Sequence, residues 1–139
     1  MERGTHAHTS DARNESVLVY LNGELVPKER ATVSVMDAGF ILGDGVWEGM
    51  RIYGGKVAFI EQHLDRLMEG AKAIDLDIGM SLGELTEAIY RTLEANQMLD
   101  GVHIRLMVTR GVKSTPFQGT NACVGRPTVV ITAEYKEVA

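Results

Sequence analysis

The stretch MDAGFILGDGVWEGMR, residues 36–51, combines glycines, acids, a tryptophan and an arginine within sixteen positions. Residues 46–53, which begin within this stretch, alternate with the period of a β-strand, and this places Trp47, Arg51 and Tyr53 on one face. A guanidinium between two aromatic rings is suited to bind a carboxylate, because it donates two hydrogen bonds while the rings exclude water. The same pattern fits a hairpin whose bulky side chains only pack against a neighbour. The pattern alone leaves both interpretations open.

The glycines of this stretch fit either a phosphate-binding loop or a set of turns. Gly43, Gly45 and Gly49 are spaced G-x-G-x-x-x-G, close to the fingerprint of a dinucleotide-binding loop. That fingerprint requires a strand before the glycines and a helix after them, because the helix N-terminus binds the pyrophosphate. Here the residues after the glycines follow a strand pattern that ends in a Gly-Gly turn. We therefore interpret these glycines as turn formers, and the sequence also contains no Gly-Lys-Ser/Thr phosphate loop.

Strand patterns predominate in the two ends of the chain and helical patterns in its middle. The predicted strands are residues 17–21, 24–26, 31–35, 46–53, 56–60, 102–110 and 127–135. Asn22 and Gly23 predict a tight hairpin turn. One helical stripe runs from Leu64 to Ile74, and a second helix begins at Ser81, which has the capping-box spacing to Glu84. The connections are too short for parallel crossovers, so the prediction is an α+β domain, a largely antiparallel sheet with two helices packed on it.

Composition narrows the class of protein further. The 139 residues carry a net charge of −5, which disfavours nucleic acid or an anionic membrane as a partner. Cys123 is the only cysteine, so the sequence predicts a reducing, cytoplasmic environment. No apolar run is long enough to span a bilayer, and no metal site is predicted. Residues 1–16 are polar and aperiodic and are predicted to be a disordered tail.

Four blocks together resemble a known family. LNGELV, DAGFILGDGVWEGMRIYGG, HLDRL and HIRLMVTRG, in this order, resemble the N-terminal domain of the class IV, fold-type IV, pyridoxal-phosphate aminotransferases. The resemblance covers roughly residues 17–135. The family includes branched-chain and D-amino-acid aminotransferases, (R)-amine transaminases and aminodeoxychorismate lyase. It implies pyridoxal 5'-phosphate as the cofactor, an amino acid or amine and a 2-oxo acid as substrates, and a homodimer.

The resemblance also implies roles for individual residues. Arg66 of HLDRL matches the arginine that binds the cofactor phosphate. Trp47 and Arg51 match positions that line the substrate pocket. His103 and Arg105 match two substrate-side positions on a later strand, although branched-chain enzymes have tyrosine in place of His103. Lys113 and Arg126, in the loop before the last strand, are further possible anion contacts.

The main departure from the family is length. Members are roughly twice as long, and their second domain carries the lysine that forms a Schiff base with the cofactor. None of the five lysines of this chain lies in a matching block, so the lysine is expected beyond Ala139 and the chain alone is predicted to be inactive. Two alternatives remain open. One is a lyase of the aminodeoxychorismate type, and the other is a non-catalytic half-domain that acts as a binding or assembly module.

Overall fold

The computed structural model describes residues 10–138. Their central element is one antiparallel sheet of six strands in the spatial order β2-β1-β6-β5-β3-β4. The strands are β1 (Leu18–Leu21), β2 (Glu24–Pro27), β3 (Gly45–Tyr53), β4 (Lys56–Val57), β5 (Val102–Thr109) and β6 (Thr128–Tyr135). The α-helices are α1 (Ala38–Leu42), α2 (Ile60–Ala73) and α3 (Leu82–Ala95). This architecture confirms the predicted fold class.

The core lies between one face of the sheet and the helices α2 and α3. Alternate residues of β3 and β5, such as Met50, Ile52, Ile104 and Leu106, are almost fully buried there. The helices contribute apolar side chains at helical spacing, including Leu64, Leu67, Leu85, Ile89 and Leu93. Ser81 and Glu84 form the predicted capping box at the start of α3. None of the described helices has the length and hydrophobicity that a bilayer span requires.

The hairpin of β1 and β2 turns as its sequence predicts. Asn22 and Gly23 have φ values of 51° and 93°, the left-handed conformations that this tight turn needs. Another glycine, Gly43, ends α1. Gly43 adopts φ 65°, and its N–H donates to the carbonyls of Ala38 and Gly39. Gly43 therefore forms a turn as predicted, whereas the prediction is wrong for Gly45 and Gly49, which lie within strand β3.

Three predicted segments differ from the structure. Residues 31–35 form no strand, because Val33 and Val35 are largely exposed and the chain turns at Ser34, whose carbonyl accepts from Asp37 N. The strand predicted over 56–60 ends at Val57. Phe59 has φ 55°, which breaks the strand, and α2 begins at Ile60.

The third difference concerns the N-terminal segment. Ala12–Ser16 form a 3-10 helix, so the prediction of disorder is wrong for these residues. Asn14 exchanges two hydrogen bonds with the backbone of Tyr135, and the Arg13 guanidinium lies 3.7 Å from the centre of the Tyr135 ring. Residues 1–9 lie outside the described part of the chain. The five-residue helix α1 was also not predicted, because its glycine-rich sequence has no helical stripe.

Candidate functional site

The four residues assigned to substrate binding share one face of the sheet, opposite the face packed by α2 and α3. In the antiparallel pairing of β3 and β5, Arg51 lies opposite His103 and Gly49 opposite Arg105. Trp47 follows on the same face, because residues two apart on a strand point to the same side. The structure therefore brings Trp47, Arg51, His103 and Arg105 together; we call these four residues the open-face cluster.

Direct contacts hold the open-face cluster. The guanidinium of Arg105 lies 4.4 Å from the centre of the Trp47 ring, within the range of a cation–π interaction. Arg51 donates from Nη2 to the backbone carbonyl of Lys136 across 2.5 Å. The Nε atom of Arg51 is buried and has no hydrogen-bond partner among the described residues. A buried donor without an acceptor costs free energy.

Gly49 makes room for His103. A Cβ atom at position 49 would lie 3.1 Å from Nε2 of His103, tighter than ordinary contact. The imidazole therefore occupies the space above the glycine, on the same face as Trp47 and Arg51.

The environment of His103 disfavours its charged form. Burial is the main cause that lowers the pKa of His103 below 6.5, and the positive charges of Lys136, Arg105 and Arg51 lower it further. Glu134 acts in the opposite direction. The imidazole is therefore expected to be neutral near pH 7. A negatively charged ligand in the open-face cluster would be attracted by the surrounding cations.

Arg66 lies elsewhere, on α2 at the helix-packed side of β3. Its Nε and Nη2 atoms donate to the two carboxylate oxygens of Glu48 at 2.6 and 2.7 Å. His63 Nδ1 lies 2.8 Å from Oε2 of the same carboxylate. The structure thus separates Arg66 from the open-face cluster by the backbone of β3, and we call Glu48, His63 and Arg66 the helix-side cluster.

Charge and exposure differ sharply within the helix-side cluster. The Glu48 side chain is only 4% exposed, whereas that of Arg66 is 70% exposed. The hydrogen bonds from Arg66 are the main cause that holds the pKa of Glu48 below 4.5; His63 acts in the same direction and burial opposes them. In the described residues, Nη1 of Arg66 makes no hydrogen bond, so the outer edge of the guanidinium is open to an oxyanion.

Sequence reasoning missed Glu48 and His63. The signal for Glu48 was present, because the strand period places this acid on the face of Met50 and Ile52, where a carboxylate needs a partner. His63 precedes Arg66 by three residues, the spacing that brings two helical side chains to one face.

The loop residues proposed as anion contacts have different environments. Arg126 is exposed. Lys113 is only 2% exposed, and its Nζ donates to the carbonyl of Gly119 across 2.8 Å. The expectation that Lys113 is an anion contact is therefore not supported by its burial, since its amine points into the loop rather than towards the open face.

Comparison with known proteins identifies the family. The family model described as "Amino-transferase class IV" matches residues 45–137, which include the open-face cluster and the helix-side cluster. The chain belongs to the class IV aminotransferase family. The N-terminal half of this fold, with its antiparallel sheet, accounts for the architecture described above.

Two curated relatives illustrate the similarity in sequence. The chain is 44% identical over 127 residues to branched-chain-amino-acid aminotransferase-like protein 1 of Arabidopsis thaliana, covering 88% of this chain and 22% of that protein. It is 39% identical over 93 residues to D-alanine aminotransferase of Staphylococcus epidermidis, covering 67% of this chain and 33% of that protein.

A solved structure shows the same likeness in three dimensions. The branched-chain amino acid aminotransferase from Escherichia coli superposes with a TM-score of 0.74 at 31% identity, over 86% of this chain and 41% of that one. Another branched-chain aminotransferase, 28% identical and with a TM-score of 0.75, was solved with pyridoxamine 5'-phosphate. The class IV aminotransferase chain described here thus spans about two fifths of the Escherichia coli structure, and a third or less of the two curated relatives.

Proposed function

We propose that this chain forms the N-terminal half of a pyridoxal-phosphate aminotransferase that transfers an amino group between an amino acid or amine and a 2-oxo acid. The observation that carries the proposal is the open-face cluster. It offers two arginines, an unsatisfied Nε donor on Arg51 and the Trp47 ring at one place. Amino acids and 2-oxo acids both present a carboxylate, the group that such a cluster binds.

The helix-side cluster is chemically suited to the phosphate of the cofactor. A phosphate dianion accepts charge-assisted hydrogen bonds, and the outer edge of Arg66 has donors to give. Glu48 holds the inner edge of the same guanidinium, so the outer edge is fixed in direction before any ligand binds. We assign Arg66 to the phosphate on this basis.

The lysine that bonds covalently to the cofactor is proposed to lie in a second domain. Of the lysines in the described residues, Lys113 is buried inside a loop, Lys56 lies on β4, Lys72 lies on α2, and Lys28 and Lys136 directly follow β2 and β6. The solved Escherichia coli homologue is more than twice as long as the part that this chain covers. We therefore propose the boundaries 17–135 for the N-terminal domain, followed by a lysine-bearing domain.

The residues of the two clusters would have separate roles in binding the cofactor and the substrate. The cofactor supplies an electron sink for the carbon that loses its proton. Arg66 would hold the phosphate, while Arg51 and Arg105 would bind the substrate carboxylate and fix its orientation. Trp47 would exclude water and keep Arg105 in place through the cation–π contact. His103, neutral near pH 7, would offer a ring nitrogen as a hydrogen-bond partner without adding a further charge.

The test uses the enzyme encoded by the complete reading frame. We expect amino transfer from an amino donor to a 2-oxo acid. Arg105→Met should raise KM for the carboxylate substrate about tenfold or more, the effect of losing one charge-assisted pair. Arg66→Met should instead weaken binding of pyridoxal phosphate, followed by its absorbance. Arg30→Met, which removes an exposed arginine outside both clusters, is the matched control.

Other outcomes would contradict the proposal. Product formation by elimination without a 2-oxo acid acceptor would indicate the lyase branch. A complete reading frame without a second domain, combined with no cofactor binding, would indicate a non-catalytic module. The 139-residue chain by itself should form no lysine–pyridoxyl adduct after borohydride reduction, and such an adduct at one site would contradict the placement of the lysine.

Assembly and location are further proposals. We propose a homodimer, since the open-face cluster carries the half-exposed Trp47, beside Tyr53, on an uncovered sheet face. We also propose a cytoplasmic location, because the sequence has a single cysteine. Light scattering of the complete enzyme tests the dimer, and a monomer at micromolar concentration would contradict it.

A further inference from the structure

The loop between β5 and β6 contains a buried amine that faces a thiol. Lys113 is only 2% exposed, and its Nζ lies 3.9 Å from Sγ of Cys123. Cys123 as a residue is partly exposed. Neither side chain belongs to the open-face cluster or to the helix-side cluster. The two residues therefore form a separate pair of nucleophilic groups to which no role has been assigned above.

The backbone holds this pair in register. Lys113 and Cys123 lie opposite each other as an isolated antiparallel bridge. On one side Val124 N donates to Val112 O across 2.7 Å, and on the other Ser114 N donates to Ala122 O across 2.9 Å. Residues opposite each other on adjacent strands keep their side chains within contact distance. The backbone therefore places the two residues opposite each other, and their side chains meet at Nζ and Sγ.

The amine is unusual because it is buried without an acid. In residues 10–138, Lys113 forms no ion pair with a carboxylate, and its one oxygen acceptor is the carbonyl of Gly119. A buried charge normally requires a charged partner. The group that remains beside Nζ is the sulfur of Cys123. The Lys113 amine thus faces the thiol of a partly exposed cysteine, and a neighbouring lysine is an environment in which cysteines react with oxidants.

We propose that Cys123 and Lys113 form an oxidation site, at which a hydroperoxide converts the pair into a reversible sulfur–nitrogen cross-link. In the first step the Cys123 thiolate attacks one peroxide oxygen and the O–O bond breaks, so that the sulfur becomes a sulfenic acid; the departing hydroxide takes a proton from the Lys113 ammonium and leaves as water, which makes the amine neutral. In the second step the Lys113 nitrogen attacks that sulfur and displaces hydroxide, which takes a proton from the amine and leaves as water. One peroxide is reduced, the sulfur is oxidised by two electrons, and an S–N bond replaces one S–H and one N–H bond.

The cross-link would add a covalent bond to a loop that hydrogen bonds close in the structure. The segment between the two residues is held by the Lys113–Gly119 hydrogen bond and the backbone bonds already described. After the second step the nitrogen retains one hydrogen, which can still bond to the carbonyl of Gly119. A thiol reductant would attack the sulfur and release the amine, which makes the link reversible.

The experiment treats the 139-residue chain with hydrogen peroxide at a few equivalents and measures intact mass and a tryptic map. We expect a loss of about 2 Da, because two hydrogens leave and no oxygen is retained. Trypsin should no longer cleave after Lys113, whereas cleavage after Lys72 should be unchanged. Dithiothreitol should restore both the mass and the cleavage at Lys113.

Two variants serve as controls. Cys123→Ser should abolish the mass loss and keep Lys113 cleavable. Lys113→Arg keeps a cation but cannot form the same link, so it should give a sulfenic acid that dimedone captures. If circular dichroism shows that Lys113→Arg does not fold, the proposal is tested by the tryptic map of the wild type together with the intact mass of Cys123→Ser. Oxygen added to Cys123 with Lys113 still cleavable, a disulfide between two chains, or no reaction would each overturn the proposal.

Discussion

Glu48 accepts two hydrogen bonds from Arg66, at 2.6 and 2.7 Å, although Glu48 is almost fully buried and Arg66 is 70% exposed. The pair therefore spans the boundary between the core and the solvent. Its buried member requires the partner far more than its exposed member does, because water can replace Glu48 around Arg66 but not Arg66 around Glu48.

Substitution of Glu48 tests this asymmetry. Glu48→Gln keeps the shape of the side chain but removes the charge that accepts from Arg66 and His63. We expect a loss of about 1.5–3 kcal/mol in the free energy of unfolding, the range for hydrogen bonds to charged groups. Urea unfolding measures it. Glu61→Gln, which changes an exposed glutamate on α2, should alter stability by less than about 0.5 kcal/mol. Equal effects of the two variants would contradict the role of Glu48.

The carboxylate of Glu48 should also make the folding stability sensitive to acid. Arg66 lowers the pKa of folded Glu48 below the value of 4.5 expected for the unfolded chain. The unfolded state therefore binds a proton first, and the stabilisation is fully present above pH 4.5 and is lost as the pH falls through the folded pKa. Urea midpoints measured between about pH 3 and pH 7 should fall at the acid end, and less steeply in Glu48→Gln. If the urea midpoints of the wild type and of Glu48→Gln fell in parallel as the pH is lowered, Glu48 would not be the source of the sensitivity to acid.

The lowered pKa of His103 leads to a second prediction about pH. Its pKa should lie below 6.5, mainly because it is buried, and NMR of the C–H ring protons, assigned with His103→Gln, measures it. Because the unfolded histidine binds the proton at higher pH, this residue lowers stability as the pH falls from 6.5 towards the folded pKa. A carboxylate bound in the open-face cluster should raise the pKa of His103, since it offsets the surrounding positive charge. Acetate and glutarate at millimolar concentration are suitable probes, and no change with either would count against anion binding.

Arg110 predicts a structural effect that is separate from substrate binding. It donates to the carboxylate of Asp44 and to the carbonyls of Ile74 and Asp75, and so joins the turn before β3 to the end of α2. Its side chain is only 10% exposed. Arg110→Met should cost roughly 2–4 kcal/mol in stability, because it leaves a largely buried carboxylate without its partner. Asp44→Asn, which keeps a hydrogen-bond acceptor, should lower the stability by less than Arg110→Met. A larger loss in Asp44→Asn would contradict this role of Arg110.

The sequence predicts the elements whose signals are local. The Asn22–Gly23 turn, the alternation of β5 and the capping box at Ser81 depend on neighbouring residues, and all three are found in the structure. The grouping of Arg51 with His103 needs only the strand period, once the two strands pair.

The features that the sequence does not predict depend on distant partners. The segment 12–16 is ordered by Tyr135, more than a hundred residues away, and residues 31–35 have strand propensity but no neighbouring strand. Likewise, Arg66 was recognised through a family motif, whereas its buried partner Glu48 becomes evident only when α2 packs against β3.

The adjacency of Trp47 and Glu48 on β3 constrains how this strand can change length. The two residues point to opposite sides, one to the open-face cluster and the other to the helix-side cluster. An insertion or deletion of one residue within β3 would exchange the two sides, so that the carboxylate would lose Arg66 and the indole would enter the core. Substitutions can therefore diversify the open face while the length of β3 stays fixed. Changes in length are expected instead at the Gly54–Gly55 turn, where an added residue leaves that alternation intact.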